Sequence, residues 1–165
     1  MDDHDRLLGI YLRDHLAGSV AALELVERTA RSNETNTLGQ FLTSLHEEIR
    51  ADQETLLDAM KTLGVEPSRV KNGLAWTVEK AGRLKLNGRL LRYSPLSRLY
   101  ELETLEAGIV GKRSLWTNLQ SLDDARLAGF DLPRLVERAE AQRAAVEEWR
   151  RRAAAALRPG KAPQS

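Results

Sequence analysis

The chain has 165 residues, a length that fits one domain with a sizeable core. Apolar residues make up 42% and charged residues 30%, with only five prolines and 5% aromatics, which favours a helical bundle over a many-stranded sandwich. A formal net charge of +1 gives no overall attraction to nucleic acid or membranes, and the lack of cysteine excludes disulfides, thiolate metal sites and cysteine nucleophiles.

The two ends of the chain and its hydropathy bear on localisation. The first five residues are acidic, unlike the basic start of a signal peptide. No apolar run approaches the roughly 20 residues of a membrane span. We therefore expect a cytoplasmic protein without a membrane span, and residues 158–165, with two prolines and a glycine, are predicted to be a disordered tail.

Apolar residues at steps of three and four predict two long helices in the first part of the chain. The first is expected over residues 3–31, and a polar turn at residues 32–36 separates it from the second. Gly64 follows the second apolar stripe at the position where a left-handed backbone ends a helix. A connection this short predicts a helical hairpin.

Two further long helices are predicted after residue 93. Ser94 and Pro95 fit an N-cap and the first helical position, opening a helix that runs to about Leu122. Asp131 fits the N-cap of the last helix, with Phe130 and Leu135 spaced as a hydrophobic staple. That last helix is expected to end near Leu157.

Residues 65–93 separate the two helix pairs and are predicted to form a long crossover that contains a short helix. A helix of about 28 residues is about 42 Å long, and such a segment is able to return the chain to the opposite end. The predicted fold class is therefore all-α: an antiparallel four-helix bundle with one long crossover, forming a single domain over residues 1–157. An up-and-down five-helix array is the alternative that the pattern leaves open.

Polar and ionisable residues interrupt the stripes near the middle of the bundle, two on each of the first three long helices. They are His15 and Ser19, Glu48 and Asp52, and Glu103 and Glu106. Residues three or four apart share a helix face, so each pair projects in one direction. Counting back from the first turn places His15 at the same height along the bundle as Asp52, and Ser19 at the same height as Glu48. A difference of about 60 in residue number aligns the third helix with the second.

Clustered carboxylates in a core favour a cation, because buried negative charges raise one another's pKa unless a proton or a metal neutralises them. The residues predicted to bind one divalent ion are His15, Glu48, Asp52, Glu103 and Glu106. Lys112 and Arg113, about two turns beyond Glu106, offer internal ion pairing as the alternative.

The helix lengths, the crossover and the inward carboxylates resemble the ferritin-like superfamily. The stretch 76–102, with Glu79-Lys80-Ala81-Gly82-Arg83-Leu84-Lys85, is also similar to bacterial ferritin-like proteins. The resemblance implies a bundle that binds iron or manganese in its core. Because Ala51 stands where a Glu-x-x-His motif starting at Glu48 needs histidine, and that motif occurs nowhere in the chain, it implies a reduced or vestigial site.

The predicted crossover is basic, and this suggests a second function class. Eight lysines and arginines lie between residues 69 and 98, against one acidic residue, Glu79. The residues predicted to bind an anion are Lys80, Arg83, Lys85, Arg89 and Arg92. The alternative function is therefore a non-enzymatic module that docks an anionic partner, and a solvated outer face is the competing explanation. Only Trp76 and Tyr93 interleave with these charges, which argues against base stacking with nucleic acid.

Two smaller features occur in the last two predicted helices. Gly108 and Gly111 precede Lys112 within a helical stripe, where they predict close helix packing rather than a phosphate-binding loop. Trp116 and Trp149 fit either the core or an interface between two copies of the chain, which leaves a homodimer open.

Overall fold

The structure is a computed structural model that describes residues 3–67 and 93–158. These residues form four α-helices and one short 3-10 helix, with no strand among them, which confirms the all-α prediction. The helices are α1 (Asp3–Arg31), α2 (Thr37–Thr62), α3 (Pro95–Ser121) and α4 (Leu132–Ala155), and the 3-10 helix is Ala125–Leu127. None of these helices combines the length and the apolar character needed to cross a bilayer.

The helix ends lie where the capping residues predicted them. The side chain of Ser94 accepts a hydrogen bond from the Ser97 N–H at 3.1 Å, and that of Asp131 accepts one from the Arg134 N–H at 3.1 Å. Gly64 has a φ of 71°, a left-handed conformation that glycine adopts without strain just past the end of α2. Local chemistry therefore sets both the starts and the stops of these helices.

The turn between α1 and α2 depends on a glycine for a different reason. A Cβ atom at Gly39 would lie 2.2 Å from the carbonyl oxygen of Asn33. The first turn of α2 packs directly on the preceding chain, and the Gly39 N–H donates to Asn36 Oδ1 at 3.2 Å. Glycine is thus required here by close approach of backbone to backbone.

The core is built from the predicted stripes. α1 packs most extensively on α2 and also on α3, α3 packs most extensively on α4, and α2 and α4 contact each other less. Trp116 is 1% exposed and belongs to the core, whereas Trp149 is half-buried against it beside Phe41. The fully buried aliphatic positions that join the helices include Leu12, Val26, Leu42, Met60, Leu102 and Val146.

Polar contacts tie the helices together at two ends. Near the α1–α2 turn, buried Asn33 donates to the Thr29 carbonyl at 2.8 Å and to Tyr93 Oη at 2.6 Å, and Arg98 Nε donates to Asn33 Oδ1 at 3.0 Å. Towards the start of α1, Asn118 donates to Tyr11 Oη at 2.9 Å. The beginning and the end of α3 are therefore each anchored to the α1–α2 hairpin.

Two predictions concern residues outside the described ranges. The short helix within the predicted crossover falls on residues 68–92, and the predicted disordered tail falls almost wholly on residues 159–165. Both stay predictions.

Candidate functional site

Three helices each place a polar residue within an otherwise apolar buried stripe, and these residues meet in the middle of the bundle. Asp52 lies between Ile49 and Leu56 on α2 and is 3% exposed. Gln142 follows Ala139 on α4 and is 4% exposed. Lys112 enters from α3 and Arg138 from α4, one turn before Gln142. We refer to Asp52, Lys112, Arg138 and Gln142 as the core network.

Both carboxylate oxygens of Asp52 are bonded to cations of the protein. Lys112 Nζ donates to Asp52 Oδ2, and Arg138 Nη2 donates to Asp52 Oδ1. Lys112 Nζ also donates to Gln142 Oε1, and the amide of Gln142 approaches Asp52 Oδ2 at 3.3 Å. The network thus joins α2, α3 and α4 at one level of the bundle.

Burial and charge act in opposite directions on Lys112. Desolvation of its ammonium lowers the pKa of Lys112, and the attraction of Asp52 opposes that effect. The Lys112 side chain is 15% exposed and that of Asp52 is 4% exposed, so each charge has lost most of its water. An ion pair of this kind needs good geometry and further hydrogen bonds, which Gln142 and Arg138 supply.

Glu48 lies at the outer edge of the core network. It is exposed on α2, and its Oε2 accepts a hydrogen bond from the Gln142 amide at 2.9 Å. Of the predicted ligands, Glu48 and Asp52 are therefore brought together through Gln142. Both lie on α2, as their spacing predicts.

Glu103 and Glu106 belong to a different cluster, on the outer surface between α3 and α4. Glu106 pairs with Arg143 at 3.4 Å and with Arg150 at 3.3 Å, and Arg150 lies 4.0 Å from Glu103. Arg150 and Arg151 hold the pKa of Glu147 at about 2. We call Glu103, Glu106, Arg143, Glu147 and Arg150 the surface ladder.

His15 lies on α1 beside a cavity bounded by α1, α2 and α3, which Asp52 and Lys112 also line. Its ring packs edge-on against Tyr11 with centroids 4.5 Å apart. Burial lowers the pKa of His15 and the nearby Asp14 raises it by less, so the imidazole is held towards its neutral form.

The level predicted for Ser19 is wrong by more than one helical turn. Gln53, five positions after Glu48, donates to Ser19 Oγ at 2.8 Å. The turn itself lies at residues 32–36 as predicted, between the end of α1 at Arg31 and the start of α2 at Thr37, so its position does not explain the shift. Ser19 itself donates to the Leu16 carbonyl at 2.7 Å.

The five predicted ligands are thus distributed over three places: the core network, the surface ladder and the α1 wall of the cavity. Among residues 3–67 and 93–158, no three histidine or carboxylate side chains are grouped as metal ligands. As arranged, the oxygens of Asp52 suit the protein's own cations better than a divalent ion. Metal binding stays a prediction.

Arg138 and Gln142 belong to the core network but were not among the predicted metal ligands. The signal for Gln142 is its place in the apolar stripe of α4, four residues before Val146. Arg138 precedes Gln142 by four residues and therefore shares its helix face. Internal ion pairing through Lys112 was the alternative to a metal, and the partner of Lys112 is Asp52.

The basic crossover lies outside the described residues. Lys80, Arg83, Lys85, Arg89 and Arg92 all fall between residues 68 and 92. Their role in docking an anionic partner stays a prediction.

Comparison of the chain with protein-family models, with curated proteins and with solved structures found no match. The ferritin-like resemblance therefore depends only on the helix pattern, the carboxylates and the stretch 76–102.

Proposed function

We propose that this chain is a ferritin-like four-helix bundle protein with a vestigial carboxylate site, where Lys112 takes the place of a divalent cation. One observation supports this proposal above the others. The two oxygens of Asp52, the most buried of the five predicted ligands, are bonded to an ammonium from α3 and a guanidinium from α4.

The order of contacts along the helices supports the one-crossover topology. On α1, Tyr11 meets Asn118 of α3 and Arg28 meets Glu101, so the two helices run in opposite directions. Ser19 pairs with Gln53 of α2, and the chain after α2 returns to α1, where Arg13 Nε donates to the Glu66 carbonyl at 3.0 Å. α2 and α3 are then parallel, and a long crossover between them follows.

Electrostatics explain why internal cations replace a metal in this proposal. A divalent ion at Asp52 would lie beside two positive side chains, Lys112 and Arg138. At intermediate dielectric, two unit charges about 4 Å apart interact by about 4 kcal/mol, so each cation disfavours the metal strongly. A hard cation also needs several free oxygen ligands, and Asp52 has both of its oxygens engaged.

The functional consequence is a binding or structural role without metal-dependent oxidase chemistry. A buried polar network of this kind favours one arrangement of α2, α3 and α4 over shifted alternatives, since any slip leaves a charge unpaired.

Elemental analysis after purification without chelators or a metal-affinity tag tests the proposal, with and without anaerobic loading by iron(II) and manganese(II). The wild-type protein is expected to hold no stoichiometric metal. Lys112→Met is expected to raise the manganese(II) affinity about tenfold or more, because it removes a charge that repels the ion. Lys61→Met, at an exposed lysine of α2, is the matched control.

Two results would overturn the proposal. The first is near-stoichiometric metal in the wild type that Glu48→Gln removes, which would make the site functional. The second is an unchanged manganese(II) affinity in Lys112→Met.

A further inference from the structure

The outer face of α3 differs in charge from the outer faces of the other helices. Among the exposed residues of α3, Glu103 is the only charged one, although charged residues make up 30% of the chain. The exposed face of α2, by contrast, carries charges along its length, for example at Glu47 and Arg50. A surface helix usually keeps its outer face charged or polar. The outer face of α3 is therefore suited to contact with protein as well as with water.

The exposed residues of α3 form one stripe along the helix. They recur at alternating steps of three and four, the spacing by which two long helices pack side by side. We call this set the α3 stripe, and its members are Leu96, Tyr100, Glu103, Ala107, Val110 and Ser114. A second helix laid along the stripe would cover Glu103 and would have to supply a cation for it.

The close helix packing predicted at Gly108 and Gly111, beside the α3 stripe, is not made within the described part of the chain. A Cβ atom built at either position meets no atom of the described residues within 4 Å.

Ion pairs between α3 and α4 fix the relative heights of these two helices. Arg113 pairs with Glu140 at 2.7 Å, and Glu103 lies 4.0 Å from Arg150. Residues 103 and 113 are equally far from residue 108 of α3, and residues 140 and 150 are equally far from residue 145 of α4. Residues 108 and 145 therefore lie at the same height, in the middle of the α3–α4 face.

The charges on this face change sign about its middle. Acids and bases occupy mirrored positions on the same helix: Glu103 and Arg113 on α3, and Glu140 with Arg150 and Arg143 with Glu147 on α4. Glu106 mirrors Val110, which has no charge. A half-turn about an axis that crosses both helices at this height would set each of these mirrored acids opposite a base of a second copy. The face is thus complementary in charge to itself.

We propose that the outer face of α3 and α4 binds a second copy of this chain, with the two α3 helices antiparallel about a twofold axis at residue 108. Glu103 of each copy then meets the partner subunit's Arg113, and this contact occurs twice. A parallel arrangement would set Glu103 opposite the partner subunit's Glu103, which like-charge repulsion disfavours.

The size of the face matches what a stable dimer needs. The 27 residues of α3 span about 40 Å. Two adjacent helices are about 20 Å wide, so the face offers about 800 Å² per copy. Specific protein–protein interfaces bury about that area on each partner.

Sedimentation equilibrium of the full chain over a range of concentrations tests the proposal. The wild type is expected to approach twice the chain mass of 18.5 kDa. Glu103→Arg and Arg113→Glu each set like charges opposite one another at two places, so each should weaken self-association about tenfold or more. Glu54→Arg makes the same reversal at an exposed position of α2 and should self-associate as the wild type does.

An equimolar mixture of Glu103→Arg and Arg113→Glu gives the sharpest measurement. In a mixed dimer, positions 103 and 113 of the two copies again pair an acid with a base at both places. The mixture should therefore sediment as a dimer at concentrations where each variant alone is a monomer. Unfolding temperatures close to that of Glu54→Arg would show that the variants keep the fold, because the altered pairs are exposed to solvent.

Three results would overturn the proposal. The first is a wild type that keeps the mass of a single chain up to about 1 mM, where even a weak dimer forms. The second is unchanged self-association in both variants, which would place the contact on another surface. The third is a mixture that stays monomeric, which would exclude the antiparallel pairing. None of these outcomes depends on metal content, so this inference and the vestigial-site proposal fail separately.

Discussion

The core network and the surface ladder both pair carboxylates with cations, but at different depths: the Asp52 side chain is 4% exposed and the Glu106 side chain is 22% exposed. In the core network, Asp52 is almost fully buried between Lys112 and Arg138. In the surface ladder, Glu106 lies between Arg143 and Arg150 at the outer face of α3 and α4. Sequence spacing alone assigned carboxylates from both clusters to one site.

The difference shows that environment, more than charge count, decides what a carboxylate contributes. A buried ion pair gains strong attraction but loses the hydration of both charges, so removing one partner is severe. An exposed pair gains little, because water and salt screen it and two long side chains lose freedom. Mutations at the two clusters should therefore have very unequal effects on the free energy of unfolding.

Asp52→Asn should have the largest effect. It leaves the charges of Lys112 and Arg138 without their buried counterion, and the free energy of unfolding should fall by about 3–5 kcal/mol. The lower end is expected, because the Arg138 side chain is 36% exposed and regains water easily. Urea denaturation measures the change, with Asp58→Asn at an exposed position of α2 as the control. A loss no greater than that of the control would contradict the ion-pair account.

Glu106→Gln should change the free energy of unfolding by no more than about 1 kcal/mol, and by less in high salt. The ladder is redundant, since Arg150 also pairs with Glu147 and Arg143 with Glu140. The same urea measurement at low and high ionic strength tests this, with exposed Glu54→Gln as the reference. An effect as large as that of Asp52→Asn would remove the contrast between the two clusters.

His15 should give the smallest and most specific effect, a dependence on pH. Burial lowers the pKa of His15 below its usual value, so the unfolded chain binds a proton there more readily than the folded chain. The penalty is absent above the unfolded pKa of about 6.5, and it becomes complete below the folded pKa. Acidification from about pH 7.5 to about pH 5.5 should thus destabilise the wild type more than His15→Gln.

The control for that measurement is His4→Gln, at an exposed position near the start of α1. It removes a histidine but keeps the buried imidazole of His15, so its loss of stability on acidification is the reference for His15→Gln. An equal loss in His15→Gln would show that the burial of His15 does not reduce the stability of the fold at acidic pH.

The helices were largely predictable because their ends depend on neighbouring residues. Ser94, Asp131 and Gly64 act within one turn of the boundary that they set, so spacing alone locates them. Polar residues within an apolar stripe were also found, since a break in periodicity is visible along one helix. Asp52 is an example.

The partners of those residues were not predictable in the same way. Pairing Asp52 with Lys112 depends on how α2 and α3 align, and a slip of one turn exchanges one partner for another.

Two hydrogen-bonded contacts at the edges of the described ranges set the minimum number of residues needed to join α2 to α3. Arg13 donates a hydrogen bond to the Glu66 carbonyl. Asn33 donates to the Tyr93 hydroxyl and to the Thr29 carbonyl. Arg13 and Thr29 are about 24 Å apart along α1, a span that about eight extended residues cover. Residues 68–92 provide about three times that reach. Connectivity alone therefore does not account for the length of this segment, and the segment has room to be shortened before the bundle is strained.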